Sequence, residues 1–379
     1  MENFEFYSPT FFKFGRGTEA DTGTLAKQFG AKKVLLHYGT GSVIKTGLLG
    51  RVKKSLDDAG IAHIALGGAV PNPVDSLVYE GIELARRENI DFIIAVGGGS
   101  AIDSAKAIAA GVPYSGDFWD FFSGKAVVET AIPVGVVLTI SAAGSEGSTN
   151  TVITGENGKA KRGTGSLALR PKFAVLNPEL TTTLPAYQVA CGGSDIMAHL
   201  FERYFTHTKN VETTDQLIEA LLRAMIIELP KAVKNPADYE AQANIMWAGM
   251  LAHNNVVGVG RVQDWSSHKI EHELSAMYDV AHGAGLAVVF PAWMKYTIEK
   301  DRTRFERLAK NVWGKDTAEA GIDALKEFYR GIGLPTTFLE IEDANAADIP
   351  ALAAGVPMPL GNFANLTAAD IEKIYALMV

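Results

Sequence analysis

Apolar and polar positions repeat on two different periods in the two halves of this chain. Between residues 31 and 110, short β-branched runs alternate with amphipathic stretches: VLLHYG (34–39), a helix near 47–59, AHIAL (62–66), a helix near 75–88, FIIAV (92–96) and a helix from 101. That order predicts a parallel sheet with covering helices, because parallel neighbours need a crossover long enough to hold a helix. Further strands are expected at 132–138, 151–154 and 173–176, the last stopped by Asn177-Pro178.

After Pro178 the period changes. Segments 185–205, 211–228, 239–255, 266–278, 283–298 and 301–313 repeat apolar residues every three or four positions. The expected fold class is α/β plus all-α: a Rossmann-like parallel-sheet domain over 1–180 and an all-helical domain over 181–379. A length of 379 residues agrees, since it exceeds what one core usually supports.

Two glycine turns bring in chemistry. Gly97, Gly98, Gly99 and Ser100 stand between a buried strand and a helix, where bare amides and a helix N-terminus can cradle a pyrophosphate. HYGTGS (37–42) ends the first strand of the same unit, where the adenosine ribose lies in a doubly wound sheet. Gly39-Thr40-Gly41-Ser42 offers no carboxylate for a ribose 2′-hydroxyl, and Lys45 follows within reach of a 2′-phosphate, so NADP is expected ahead of NAD.

The helical half carries metal-ligand spacing. Asp195 and His199 lie four apart, as do His268 and His272, and His282 follows ten residues later beside glycines. Any one of these is an ordinary core or capping residue; the set D-x3-H…H-x3-H-x9-H points to one divalent ion, Fe²⁺ or Zn²⁺. His253 reads as packing or support for a ligand, and His37, His63 and His207 have no partners in the sequence pattern.

These motifs, with FYSPTFFKFGRG, GGGSAIDSAK, TISAAGSEGS, ACGGSDIMAHLFERYF and DWSSHKIEHELSAMYDVAHGAGLAVVFP, resemble the iron-containing (group III) alcohol dehydrogenases over nearly the whole chain, in particular their butanol-dehydrogenase-like, NADP-dependent aldehyde reductase branch. The resemblance implies that Asp195, His199, His268 and His282 bind the metal and that His272 stays unbound beside the substrate. It further implies that Gly98, Gly99 and Ser100 meet the pyrophosphate, Gly41 and Ser42 the adenosine end, and Thr139, Ser141, Ser145 and Lys161 the ribose and nicotinamide. Asp103, within GGGSAIDSAK, is counted with the cofactor-binding positions. Homodimers are common in that family, and one is expected here.

The expected chemistry is hydride exchange between NAD(P)(H) and a primary alcohol or aldehyde of butanol size, with His272 relaying a proton. Alternatives are a dehydroquinate-synthase-like or glycerol-dehydrogenase-like enzyme of the same fold, or a metal-dependent hydrolase. The net charge of −8 argues against nucleic acid as a partner. No apolar run reaches the roughly 20 residues of a membrane span, and the lone Cys191 fits a reducing compartment, so a cytoplasmic location is expected.

Overall fold

The computed structural model describes residues 1–155 and 160–379. Its contacts divide the chain into two compact units, Ser8–Thr182 and Met1–Tyr7 with Thr183–Val379.

In the first unit the strands are β1 (Phe11–Phe14), β2 (Lys33–Gly39), β3 (Ala62–Ala69), β4 (Phe92–Gly97), β5 (Val134–Leu138), β6 (Asn150–Gly155), β7 (Ala160–Gly165) and β8 (Phe173–Leu176). The helices are α1 (Thr22–Gln28), α2 (Ser42–Lys45), α3 (Leu48–Asp58), α4 (Asp75–Arg87), α5 (Gly99–Gly111) and α6 (Trp119–Phe122). Six strands form one parallel sheet in the order β1-β8-β5-β4-β2-β3, which is the expected fold class. Every residue of β4 is buried, as a strand covered on both faces requires. One face packs Val34, Leu36, Phe92, Ile94 and Val96 against Leu25 of α1 and Val52 and Leu56 of α3. The chain passes outward from β2 to β3 and then returns to lay β4 on the other side of β2, so the direction of winding reverses between β2 and β4.

Two strands lie outside the pattern-based expectation. β1 is an edge strand whose ends are exposed, and it exists through its pairing with β8, Phe11 opposite Phe173. β7 reads AKRGTG, without apolar alternation, and forms an antiparallel ribbon with β6.

His37, in the middle of β2, is fully buried. Its Nδ1–H donates to the Leu66 carbonyl at 3.1 Å, and its Nε2 accepts from the Ser104 hydroxyl at 2.9 Å, tying α5 to the sheet. Burial pushes its pKa down to about 4, against a backbone bond that raises it. The unfolded chain therefore takes up a proton below about pH 6.5 that the folded chain refuses. Stability of this unit is expected to fall by about 2 kcal/mol between pH 7 and pH 5 on this account. Denaturant unfolding at the two pH values should show His37→Asn to be flatter by that amount.

The second unit is helical: α7 (Ala186–Tyr204), α8 (Glu212–Lys234), α9 (Tyr239–His253), α10 (Ser266–Tyr278), α11 (His282–Thr297), α12 (Arg302–Leu308), α13 (Ala318–Gly331), α14 (Ile349–Gly355) and α15 (Ala368–Ala376). The single helix expected over 301–313 divides: α12 passes into a π-helical turn, Ala309–Trp313, where Arg223 takes the carbonyl of Asn311 at 2.9 Å. An aromatic core joins Phe205, Phe290, Trp293, Phe305 and Phe363. Among the described residues no helix is long and apolar enough to cross a membrane.

Candidate active site

Both glycine turns sit at the carboxyl ends of neighbouring parallel strands, β2 and β4, on either side of the point where the winding reverses. Open α/β sheets bind ligands in the crevice at such a point. Among the described residues no side chain caps α5 at Gly98, which leaves the first amides of a 13-residue helix open to an anion alongside Gly99 and Ser100. Gly41 and Ser42 open α2, where Lys45 is exposed.

A buried cation organises the loop after β5. Lys106 Nζ donates to the Ser145 carbonyl (2.7 Å) and hydroxyl (2.8 Å), the Ser148 carbonyl (3.1 Å) and hydroxyl (3.3 Å), and the Asn150 carbonyl (2.9 Å). The Asp103 carboxylate accepts from the Ser145 hydroxyl at 2.6 Å and the Val152 amide at 2.9 Å. Asp103 and Ser145 are thus bonded to each other, and both oxygens of Asp103 have protein partners. The Thr139 amide continues the β4–β5 pairing onto the Gly97 carbonyl at 3.0 Å. Among the described residues, the buried Ser141 hydroxyl has no hydrogen-bond partner. On β7, Lys161 donates to Asn72 at 3.0 Å. The sequence had not drawn attention to Asn72, which stands in a left-handed conformation between two prolines.

In the second unit, Asp195 and His199 lie one turn apart on α7, His268 and His272 on α10, and His282 opens α11. Three imidazoles converge on one oxygen. Asp195 Oδ1 lies 3.4 Å from His199 Nε2, 3.8 Å from His268 Nε2 and 4.0 Å from His282 Nε2. Asp195, His199 and His268 are buried, whereas His272 and His282 are partly exposed, their rings 5.6 Å apart.

Among the described residues, Asp195 Oδ1 and His268 Nε2 are buried atoms without a hydrogen-bond partner. Unpaired buried polar atoms are costly, and here they face one another across a gap of ligand dimensions. Donors about 2 Å from one ion stand roughly 3.3 Å from each other in tetrahedral geometry. Burial, followed by the neighbouring imidazoles His253 and His268, holds His199 well below the usual histidine range, so it stays a neutral donor. Burial also lowers the His268 pKa, but the facing carboxylates of Asp195 and Glu202 more than reverse this, to about 9. A divalent cation would displace that proton.

Several supporting residues escaped the sequence pattern. Glu202 accepts from His268 Nδ1 at 2.8 Å, and Glu271 pairs with His282 Nδ1. Their signal was present, since Glu202 follows Asp195 by seven positions and Glu271 follows His268 by three, on ligand-bearing helix faces. Gly283 lets α11 close against α7, because a Cβ there would stand 1.9 Å from the Cys191 carbonyl oxygen. The Cys191 thiol itself is pushed up to about 11 by burial and stays protonated. The His253 ring lies 4.2 Å from that of His199 and bonds Arg203 at 2.9 Å. The remaining histidines lie elsewhere: His37 in the sheet, His63 beside Asp57, and His207 on the Phe363 carbonyl.

Residues 9–178 match the family model "Iron-containing alcohol dehydrogenase", and residues 189–379 match "Fe-containing alcohol dehydrogenase family, C-terminal". The probable NADH-dependent butanol dehydrogenase 2 of Bacillus subtilis is 39% identical over 100% of this chain and 99% of its own. The NADPH-dependent aldehyde reductase of Escherichia coli is 37% identical over 93% of this chain and 92% of its own. The crystal structure of NADH-dependent butanol dehydrogenase A from Thermotoga maritima superposes with a TM-score of 0.97 at 40% identity, covering 100% of this chain and 99% of that one. With a reversing parallel sheet, an aspartate ringed by imidazoles and matches that run through both units, the chain belongs to the iron-containing alcohol dehydrogenase family.

Proposed function

We propose that this chain interconverts aldehydes and primary alcohols by hydride exchange with a nicotinamide nucleotide, and that Asp195, His199, His268 and His282 hold one divalent ion, Fe²⁺ or Zn²⁺. The observation that carries this reading is the convergence of three imidazole nitrogens on one buried oxygen of Asp195 that takes no hydrogen bond among the described residues. When bound, the ion supplies electrophilic polarisation of the substrate oxygen, while the nicotinamide gives or takes the hydride.

The chain's own groups do the rest. Asp195, His199 and His268 are buried, so substrate is received on the side of His282 and His272, which are partly exposed. His272 exchanges the substrate proton through a ring nitrogen, a task suited to imidazole near neutral pH. Gly98, Gly99 and Ser100 bind the pyrophosphate, Gly41 and Ser42 the adenosine end, and Thr139, Ser141 and Lys161 the ribose and nicotinamide. Asp103 and Ser145 serve this site by shaping the loop they brace.

Relatives named for NADH and for NADPH are both close to this chain. The choice rests on its own first turn, where no acid follows β2 and Lys45 is exposed, which favours NADPH. The substrate class is a short aldehyde such as butyraldehyde, in keeping with relatives named as butanol dehydrogenases. A reducing, cytoplasmic location suits a chain whose one cysteine is a buried thiol.

Purified protein, stripped of metal and then supplied with Fe²⁺ or Zn²⁺, is expected to oxidise NADPH with butyraldehyde only when metal is present. NADH should serve less well, and Lys45→Ala should narrow the difference. No turnover with either nucleotide under any metal would return the chain to the synthase or hydrolase alternatives.

We also propose a homodimer. Among the described residues β1 pairs on one side only, with β8, and Phe11 and Phe14 are exposed on this edge. Light scattering should give twice the chain mass of 40.5 kDa, and a monomer would refute the proposal.

A further inference from the structure

Two of the three ligand-bearing helices, α7 and α10, also carry a buried carboxylate that grips a histidine on the next. Glu202, on α7 with Asp195 and His199, reaches α10; Glu271, on α10 with His268, reaches α11. Both glutamates are almost wholly buried. A buried carboxylate costs free energy unless it is paired, so the fold retains these two for what they hold.

The two grips differ in hydrogen-bond demand. Glu202 Oε1 accepts from the His268 backbone amide at 2.9 Å and from His268 Nδ1–H at 2.8 Å, while Oε2 accepts from the Trp265 amide at 2.6 Å. Each oxygen faces donors, and an amide in either orientation would aim its NH2 at another N–H. The backbone is bent to make this fit: Trp265 holds φ of 68°, a left-handed conformation unusual for a bulky residue. Glu271 is placed differently. One oxygen takes His282 Nδ1–H, and the other takes the Ser275 hydroxyl, which also lies 3.1 Å from the Val280 carbonyl. A glutamine there keeps an acceptor for His282, and its NH2 can donate to Ser275 Oγ once that hydroxyl turns to Val280. Glu271 reaches this position because residue 285 is glycine; a Cβ there would lie 2.6 Å from Glu271 Oε1.

We propose that Glu202 and Glu271 are positioning residues of the metal centre, each fixing the Nδ1–H tautomer of one histidine so that its Nε2 lone pair faces Asp195. The inference rests on His268 and His282 being ligands. Outer carboxylates of this kind orient the ring and raise its basicity, and their loss costs roughly 10- to 100-fold in metal affinity.

The test is Zn²⁺ affinity of the metal-free full chain, measured by competition with a fluorescent chelator, beside thermal melts of the metal-free proteins. Glu202→Gln is expected to lose about 100-fold, Glu271→Ala roughly 10- to 100-fold, and Glu271→Gln less than about 10-fold. Wild-type affinity in Glu202→Gln overturns the proposal, as do equal losses in Glu271→Gln and Glu271→Ala. Should Glu202→Gln fail to fold, the Glu271 pair decides alone. A wild-type chain that takes up no Zn²⁺, or an Asp195→Asn variant that takes up as much, defeats the metal reading itself rather than the role of the glutamates.

Discussion

Asp195→Asn is expected to cut metal-dependent reduction of butyraldehyde by about a thousand-fold or more. Electrophilic assistance to a carbonyl contributes several kcal/mol, and each 1.4 kcal/mol is tenfold in rate, so losing the ion loses at least that much. Asp195 is the residue to change because its Oδ1 is the point on which His199, His268 and His282 converge. Asparagine keeps the volume but removes the charge and turns either a neutral oxygen or an NH2 toward three imidazoles. The check is kcat/KM together with bound metal per chain, with far-UV circular dichroism to show that α7 remains helical. NADPH binding should be unchanged, since the proposed cofactor contacts all belong to the Ser8–Thr182 unit. A variant that keeps one equivalent of metal and stays within tenfold of the wild-type rate would remove Asp195 from the centre.

Lys106→Met should be the most damaging single change in the α/β unit. The ammonium shares its three N–H donors among five acceptors of the Ser145–Asn150 segment, and burial lowers its pKa only to about 8, so it is largely charged at neutral pH. Asp103 and Glu146 are buried near it; burial raises both, Glu146 to about 7, with Lys106 opposing the rise. Removing one partner of a buried ionic cluster costs about 3–5 kcal/mol, because the charges left behind are uncompensated. The same loop holds Ser141 and Ser145, so KM for NADPH should rise by about tenfold or more as the contacts lose their placement. Denaturant unfolding and cofactor titration measure the two effects. Wild-type stability in Lys106→Met would mean that the loop is held by other bonds.

The periodic parts of this fold were legible because periodicity is local. FIIAV between a polar turn and GGGS reads as a buried strand feeding a helix, and β4 and α5 are there. The D-x3-H and H-x3-H spacings put side chains on one helical face wherever those helices go, so the cluster's members could be named without coordinates. The parts that were missed lack a local signal. β1 is a strand because Phe11 meets Phe173, and β7 because Ala160 meets Gly155 in a ribbon with β6; neither carries an alternation of its own.

Sequence alone, then, determined the two-part architecture, the glycine turns and the residue types able to bind a metal, since each is set by spacing within one element. Tertiary structure decided which atoms meet. It set three imidazole nitrogens around one oxygen of Asp195, turned Asp103 and Ser145 toward each other, and laid Glu202 against His268 across 66 residues of chain. Those choices follow from how helices pack and where buried charges find partners, and spacing along the chain carries no record of that.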